Sequence, residues 1–100
     1  MEEKYIYYNN LFDIYEELLT DKEIETFKDY YQEDLSLSEI ADSKNISKSA
    51  VGKMVKTILE KLDNFEDKLH IYKTRIELEK ILDLKEIDCI KKRVKDLLNT

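Results

Sequence analysis

The chain has 100 residues, 42% hydrophobic and 40% charged, with a net charge of −6, the size of one compact domain or a small subunit. No proline and one glycine exclude a chain dominated by tight turns; such a composition suits long helices on short polar connections, and fits poorly with a many-stranded sandwich or barrel. One cysteine excludes a disulfide framework and a multi-cysteine zinc site and fits a reducing cytoplasm; no apolar run approaches the roughly 18 residues that cross a bilayer, and Met1-Glu2-Glu3-Lys4 is not the basic start of a signal peptide.

The first segment places Tyr5, Tyr8, Phe12, Tyr15 and Leu19 at 3-4-3-4 spacing, one face of a helix. Thr20 with Glu23 reads as a capping box and opens a second helix over about Asp21 to Glu33, burying Ile24, Phe27 and Tyr30 or Tyr31. Ser36 with Glu39 repeats the box, so a third helix begins near Leu37 and ends at Asn45, a residue that tolerates a left-handed turn. Ser47 caps a fourth helix at Lys48. From Val55 through Ile58, Leu62, Phe65, Leu69 and Tyr72 to Ile76 the 3-4 spacing continues, and the cap-like pair Asp63-Asn64 predicts a break or bend. A last amphipathic segment, capped by Asp83, carries Leu84, Ile87, Ile90 or Lys91, Val94, Leu97 and Leu98. The sum is five or six helices and no sheet.

Charge is uneven along these elements. Residues 1–35 hold three lysines and eleven acids, a net of −8; residues 36–62 hold five lysines and three acids, +2; residues 63–100 balance nine against nine. A nucleic-acid binder carries a basic footprint because counterion release drives much of its affinity. Here that footprint is small and lies beside an acidic third, which disfavours tight nonspecific DNA binding by a single copy.

Residues 37–56 have the layout of a helix-turn-helix. Ile40, Ile46, Val51 and Met54 fall where two helices must meet, Ala41 where only a small side chain allows a close crossing, and Asn45 at the turn. Lys44 stands where an apolar residue is usual, and its alkyl stem can substitute by snorkelling. The second helix turns Ser47, Lys48, Ser49, Gly52, Lys53 and Lys56 outward. Lysines contact phosphates and position a protein; base reading calls for Arg on guanine or Asn and Gln on adenine, none of which is on this face. Gly52 costs about 1 kcal/mol of helix stability relative to Ala, and fits a site where another backbone comes close. The nucleic-acid candidates are therefore Ser47, Lys48, Ser49, Lys53 and Lys56, against the plainer reading of a solvated face.

The stretch Leu11-Phe-Asp-Ile-Tyr-Glu-Glu-Leu-Leu-Thr20 and the stretch Tyr30-Tyr31-Gln-Glu-Asp-Leu-Ser-Leu-Ser-Glu-Ile-Ala41 resemble the YlxM family of small bacterial helix-turn-helix proteins. The similarity covers about residues 5–80 and extends, in its helix-turn-helix portion, to region four of bacterial sigma factors. The resemblance implies an all-α, sigma-region-four-like bundle with a helical C-terminal extension. It also implies a cytoplasmic, non-enzymatic accessory of the signal recognition particle, binding its structured RNA, its targeting GTPase, or both. The alternative is a DNA-binding transcriptional regulator. Where this family usually has a larger polar residue the chain has Gly52, and where it commonly has a turn glycine the chain has Asn45.

The remaining candidates have plain readings beside sharp ones. Lys91, Lys92, Arg93 and Lys95 either grip phosphates or solvate the last helix. Tyr8, Phe12, Tyr15, Phe27 and Phe65 fall on apolar stripes and read as packing rather than base-stacking platforms. Adjacent Tyr30 and Tyr31 cannot both face one core, so one is exposed or at an interface. His70 reads as a surface or interface residue rather than a metal ligand, and Cys89 as an inert thiol. Asp13, Glu16, Glu17, Asp21, Glu25 and Asp29 form an acidic face that is either solvated or docks a basic surface. No nucleophile–base pair, phosphate loop or metal cluster supports an enzyme, and no cofactor or metal is expected. The 55–76 stripe packs on the first helix or forms a homodimer. Residues 1–62 are read as the helix-turn-helix domain, and 63–100 as an extension that packs on it or makes the dimer interface.

Overall fold

The computed structural model describes residues 2–99; Met1 of the opening segment and Thr100 of the extension lie outside the described residues. Among the described residues six α-helices follow in order: α1 Glu2–Tyr15, α2 Asp21–Tyr31, α3 Leu37–Lys44, α4 Lys48–Leu69, α5 Ile71–Leu82 and α6 Ile87–Leu98, with a 3-10 turn at Glu16–Leu18 after α1. No strand occurs among the described residues, and the fold is the all-α helix-turn-helix expected. None of the described helices is long and apolar enough to cross a membrane.

Both capping boxes form. Thr20 and Ser36 each accept from the N–H of the glutamate three residues on, and Glu23 and Glu39 reach back to the cap N–H at 2.9 and 3.1 Å. α4 is the central helix, with α1, α2 and α3 packed against it. The larger core joins Leu11, Phe12, Tyr15, Leu19 and Phe27 to Ile58 and Leu62 of α4. Its centre is an aromatic column, with Phe12 stacked on Phe27 at 4.2 Å and Phe27 on Tyr31 at 4.7 Å between ring centroids. Leu11, completely buried, stands beside the expected stripe, because α1 meets helices on two sides.

The structure departs from expectation at several points. α4 runs unbroken through Asp63-Asn64: Asp63 accepts a 2.9 Å hydrogen bond from the Tyr8 hydroxyl, while Ile58 and Leu62 stay buried beneath. The break comes instead at His70, in the left-handed region at φ 52°. Asp83 closes the end of α5 rather than opening α6, whose N-cap is Glu86. Tyr30 and Tyr31 are both half-buried, because they serve two cores: Tyr31 the larger, Tyr30 the smaller.

The joint after α4 is held by a buried carboxylate. Glu66 accepts from the Tyr15 hydroxyl at 2.7 Å, and from the N–H groups of Tyr72 at 2.9 Å and Lys73 at 3.0 Å. The Ile71 N–H donates to the Tyr15 oxygen at 3.3 Å, so the first free N–H groups of α5 all find partners. Beyond this joint α6 packs on α5. The molecule is elongated, 58 × 23 × 19 Å, with a radius of gyration of 17.6 Å against about 13 Å for a compact domain of this length.

Candidate nucleic-acid interface

α3 is eight residues long and ends where Asn45 turns left-handed at φ 56°, ψ 44°; the Ile46 N–H then closes back on the Ala41 carbonyl at 3.0 Å. Asparagine visits this region at lower cost than other side chains, which is why it serves in place of glycine. The Ser47 hydroxyl oxygen accepts from the Ala50 N–H at 3.0 Å and starts α4. Between the helices lies the smaller core of Ile40, Ala41 and Val51, flanked by Tyr30, Leu35, Leu37 and Val55. Ile40, Ala41 and Val51 thus sit where their spacing put them. Ile46 does not: it is 40% exposed, since the left-handed Asn45 swings the chain outward before Ser47. Lys44 snorkels, its side chain 13% exposed and its ammonium 3.0 Å from Glu25 of α2.

The Ser47 cap and the first three turns of α4 present the five candidates together. Ser47, Lys48, Ser49, Lys53 and Lys56 are all exposed. Lys48, Ser49, Lys53 and Lys56 join Gly52 and Leu37 of α3 around an open groove of about 560 Å³. Leu37 is the residue that spacing alone did not assign here; its place one step inside the Ser36 cap, directly across from Gly52, is the signal. An ideal Cβ on Gly52 would meet only the Leu37 Cδ1, at 4.0 Å, and its φ is not positive. Neither packing within the chain nor backbone conformation requires a glycine there.

Electrostatics separate these lysines from their neighbours. Lys28, Lys44 and Lys61 pair with Glu16, Glu25 and Glu23 at 3.6, 3.0 and 2.6 Å. Among the described residues no carboxylate lies within ion-pair distance of Lys48, Lys53 or Lys56. The N-terminus of α4 adds its own positive end beside Lys48. The acidic face is therefore partly tied down, with Glu16 and Glu25 occupied, while Asp13, Glu17 and Asp21 remain exposed.

A model of the family described as "Putative helix-turn-helix protein, YlxM / p13 like" matches residues 2–99. The chain belongs to this family. It is 41% identical over 78 residues to a UPF0122 protein of Fusobacterium nucleatum, covering 77% of this chain and 76% of that one. A relative from Mycoplasma mycoides is 51% identical over 69 residues, covering 69% of this chain and 61% of its own length. One from Listeria innocua is 38% identical over 88 residues, 88% of this chain and 80% of the relative. The family description names the motif that α3 and α4 build here, and a helix-turn-helix of this type is a nucleic-acid-binding scaffold.

Other candidates from the sequence lie elsewhere. Lys91, Lys92, Arg93 and Lys95 are exposed on α6, with Arg93 3.9 Å from Glu77, and the structure does not bring them to the groove. His70 is exposed at the α4–α5 joint and Cys89 is exposed on α6. Among the described residues no three His, Cys, Asp or Glu side chains gather as a metal-binding group.

Proposed function

We propose that this chain is a non-enzymatic, cytoplasmic regulatory accessory that binds structured RNA through the α3–α4 groove. The observation that carries the reading is the groove itself: three unpaired lysines around a glycine floor that nothing inside the chain requires. A floor without a side chain lets a sugar–phosphate backbone approach, and lysines hold phosphates without reading bases. Ser47 and Ser49 add hydroxyl donors at the helix start. The face offers no Arg, Asn or Gln to a base edge, which favours recognition of backbone shape over sequence-specific duplex DNA. The resemblance to YlxM proteins supports the RNA of the signal recognition particle as the target, with its GTPase as a protein neighbour. Residues 1–62 would form the binding unit and 63–100 an extension through which the chain is a homodimer.

Titration of structured RNA against Lys48→Glu/Lys53→Glu/Lys56→Glu tests this, with duplex DNA as competitor. The triple variant should bind at least 10-fold more weakly. The slope of log affinity on log salt should fall by about 2 to 3, at 0.7–0.9 per lost phosphate contact. Unchanged affinity would remove the groove from the reading. Stronger competition by duplex DNA would replace RNA with DNA as the ligand.

A further inference from the structure

We propose that one side of the α5–α6 hairpin is a self-association face, occupied by the same face of a second copy of this chain. This deepens the homodimer reading above and rests on it. α5 exposes Ile71, Leu78 and Leu82, and α6 exposes Ile87, Val94 and Leu98; Leu82, Ile87 and Leu98 are 84, 69 and 79% exposed. Both triplets have the spacing i, i+7, i+11, one edge of a helix.

The hairpin's own contact uses a different edge. Ile81 of α5 is buried, and Ile90 and Leu97 of α6 are half-buried. At about 100° per residue, each exposed triplet lies about 80° around its helix from that inner edge, in the same rotational sense. A four-residue connection between two packed 12-residue helices makes them antiparallel. In antiparallel helices, equal rotations of one sense carry both triplets to the same side. The six side chains therefore form one apolar surface rather than two.

Area and charge identify the occupant. The six side chains leave roughly 600 Å² open, the upper end of what a typical monomer exposes in one patch. Covering two such faces removes about 1,200 Å², the lower bound for a stable specific interface. Residues 63–100 are electrically balanced, and the rim carries both signs, with Glu79 on α5 and Lys91 and Lys95 on α6, all exposed. A two-fold operation makes such a surface its own complement, whereas a partner of one charge sign calls for a rim of the other. α6 also needs the support, because a 12-residue helix is marginal in water and its packing neighbour here is α5.

Sedimentation equilibrium of the whole chain up to about 1 mM, with Leu82→Glu/Ile87→Glu beside the wild type, decides it. The wild type should sediment at twice its 12.0 kDa. The double variant should dissociate at least 100-fold more readily while its far-ultraviolet circular dichroism is retained. Hydrogen exchange of the wild type across the same concentrations should show α5 and α6 amides gaining protection as the dimer fills, a readout independent of how the variant folds. A wild type that stays monomeric overturns both this face and the homodimer. A dimer that resists the substitutions, with added protection confined to α1–α4, overturns this face alone.

Discussion

The two ends of α4 are packed by different means. Around its first two-thirds, three helices close on it, and Phe12, Tyr15 and Phe27 are each about 1% exposed. Past its C-terminus, Ile81 is the one buried residue of the described α5 and α6, while Leu82 beside it is 84% exposed. α6 is as clearly amphipathic in sequence as α2. An apolar stripe becomes a core only when enough facing stripe exists to close it, and the hairpin offers half of one. Phe27→Ala should therefore lower global stability by about 3–5 kcal/mol, seen in the urea midpoint of the whole chain. Ile81→Ala, near 2 kcal/mol at the low end for such changes, should speed hydrogen exchange in α5 and α6 and leave α1–α4 protected. Equal loss of protection throughout would show that the two regions unfold as one.

The Glu66 joint couples the regions, together with Tyr72 of α5 packed against Tyr7 of α1. Burial alone would raise the Glu66 pKa, but the hydrogen bonds from Tyr15 and from the Tyr72 and Lys73 N–H groups, with His70 nearby, outweigh it and hold the carboxyl below its ordinary 4.5. Burial, together with the same contact, pushes the Tyr15 hydroxyl up to about 12. A folded-state pKa below the unfolded one adds stability that is present above pH 4.5 and is lost as pH falls through the depressed value. Tm should thus drop steeply on acidification below pH 4.5, with the α5 N-terminus losing exchange protection first. Glu66→Gln, which sets an amide donor against an N–H, should cost about 2 kcal/mol at neutral pH and flatten that acid limb. An acid limb as steep in Glu66→Gln as in the wild type would assign it to other carboxylates.

Most of α1–α4 was legible because its signals are local. Two capping boxes, a serine cap and an asparagine turn each fix a boundary within four residues, and Ile40, Ala41 and Val51 need only the spacing of two helices. The joint was not legible for a physical reason. His70 takes a conformation usually left to Gly or Asn, and what holds it there is a carboxylate four residues back and a hydroxyl 55 residues away. Asp63 looked like a cap for the same cause in reverse: its partner, Tyr8, lies 55 residues off in sequence. In the groove, the lysines followed from helical period, whereas Leu37 came from the other helix and required the crossing to be known. That Lys44 and Lys61 are neutralised while Lys48, Lys53 and Lys56 are not depends on where α2 lies against α3 and α4, which periodicity does not encode.

The smallest expected effect tests the other side of that contrast, the end of α4 that is closed inside but open at its surface. Gly52 lies inside α4, in its second turn, where glycine costs about 1 kcal/mol relative to alanine. A methyl group there meets ordinary van der Waals distance to Leu37. Gly52→Ala should accordingly raise stability by about 0.5–1 kcal/mol, read as an upward shift of the urea midpoint at unchanged slope. If the glycine is present so that a ligand backbone can enter between Lys48, Lys53 and Lys56, the same methyl weakens RNA binding while it stabilises the fold. A side chain added to an unused surface would stabilise and leave binding alone. Stability and affinity moving in opposite directions is therefore the signature of a floor in contact with ligand, and both can be measured on one preparation of one variant.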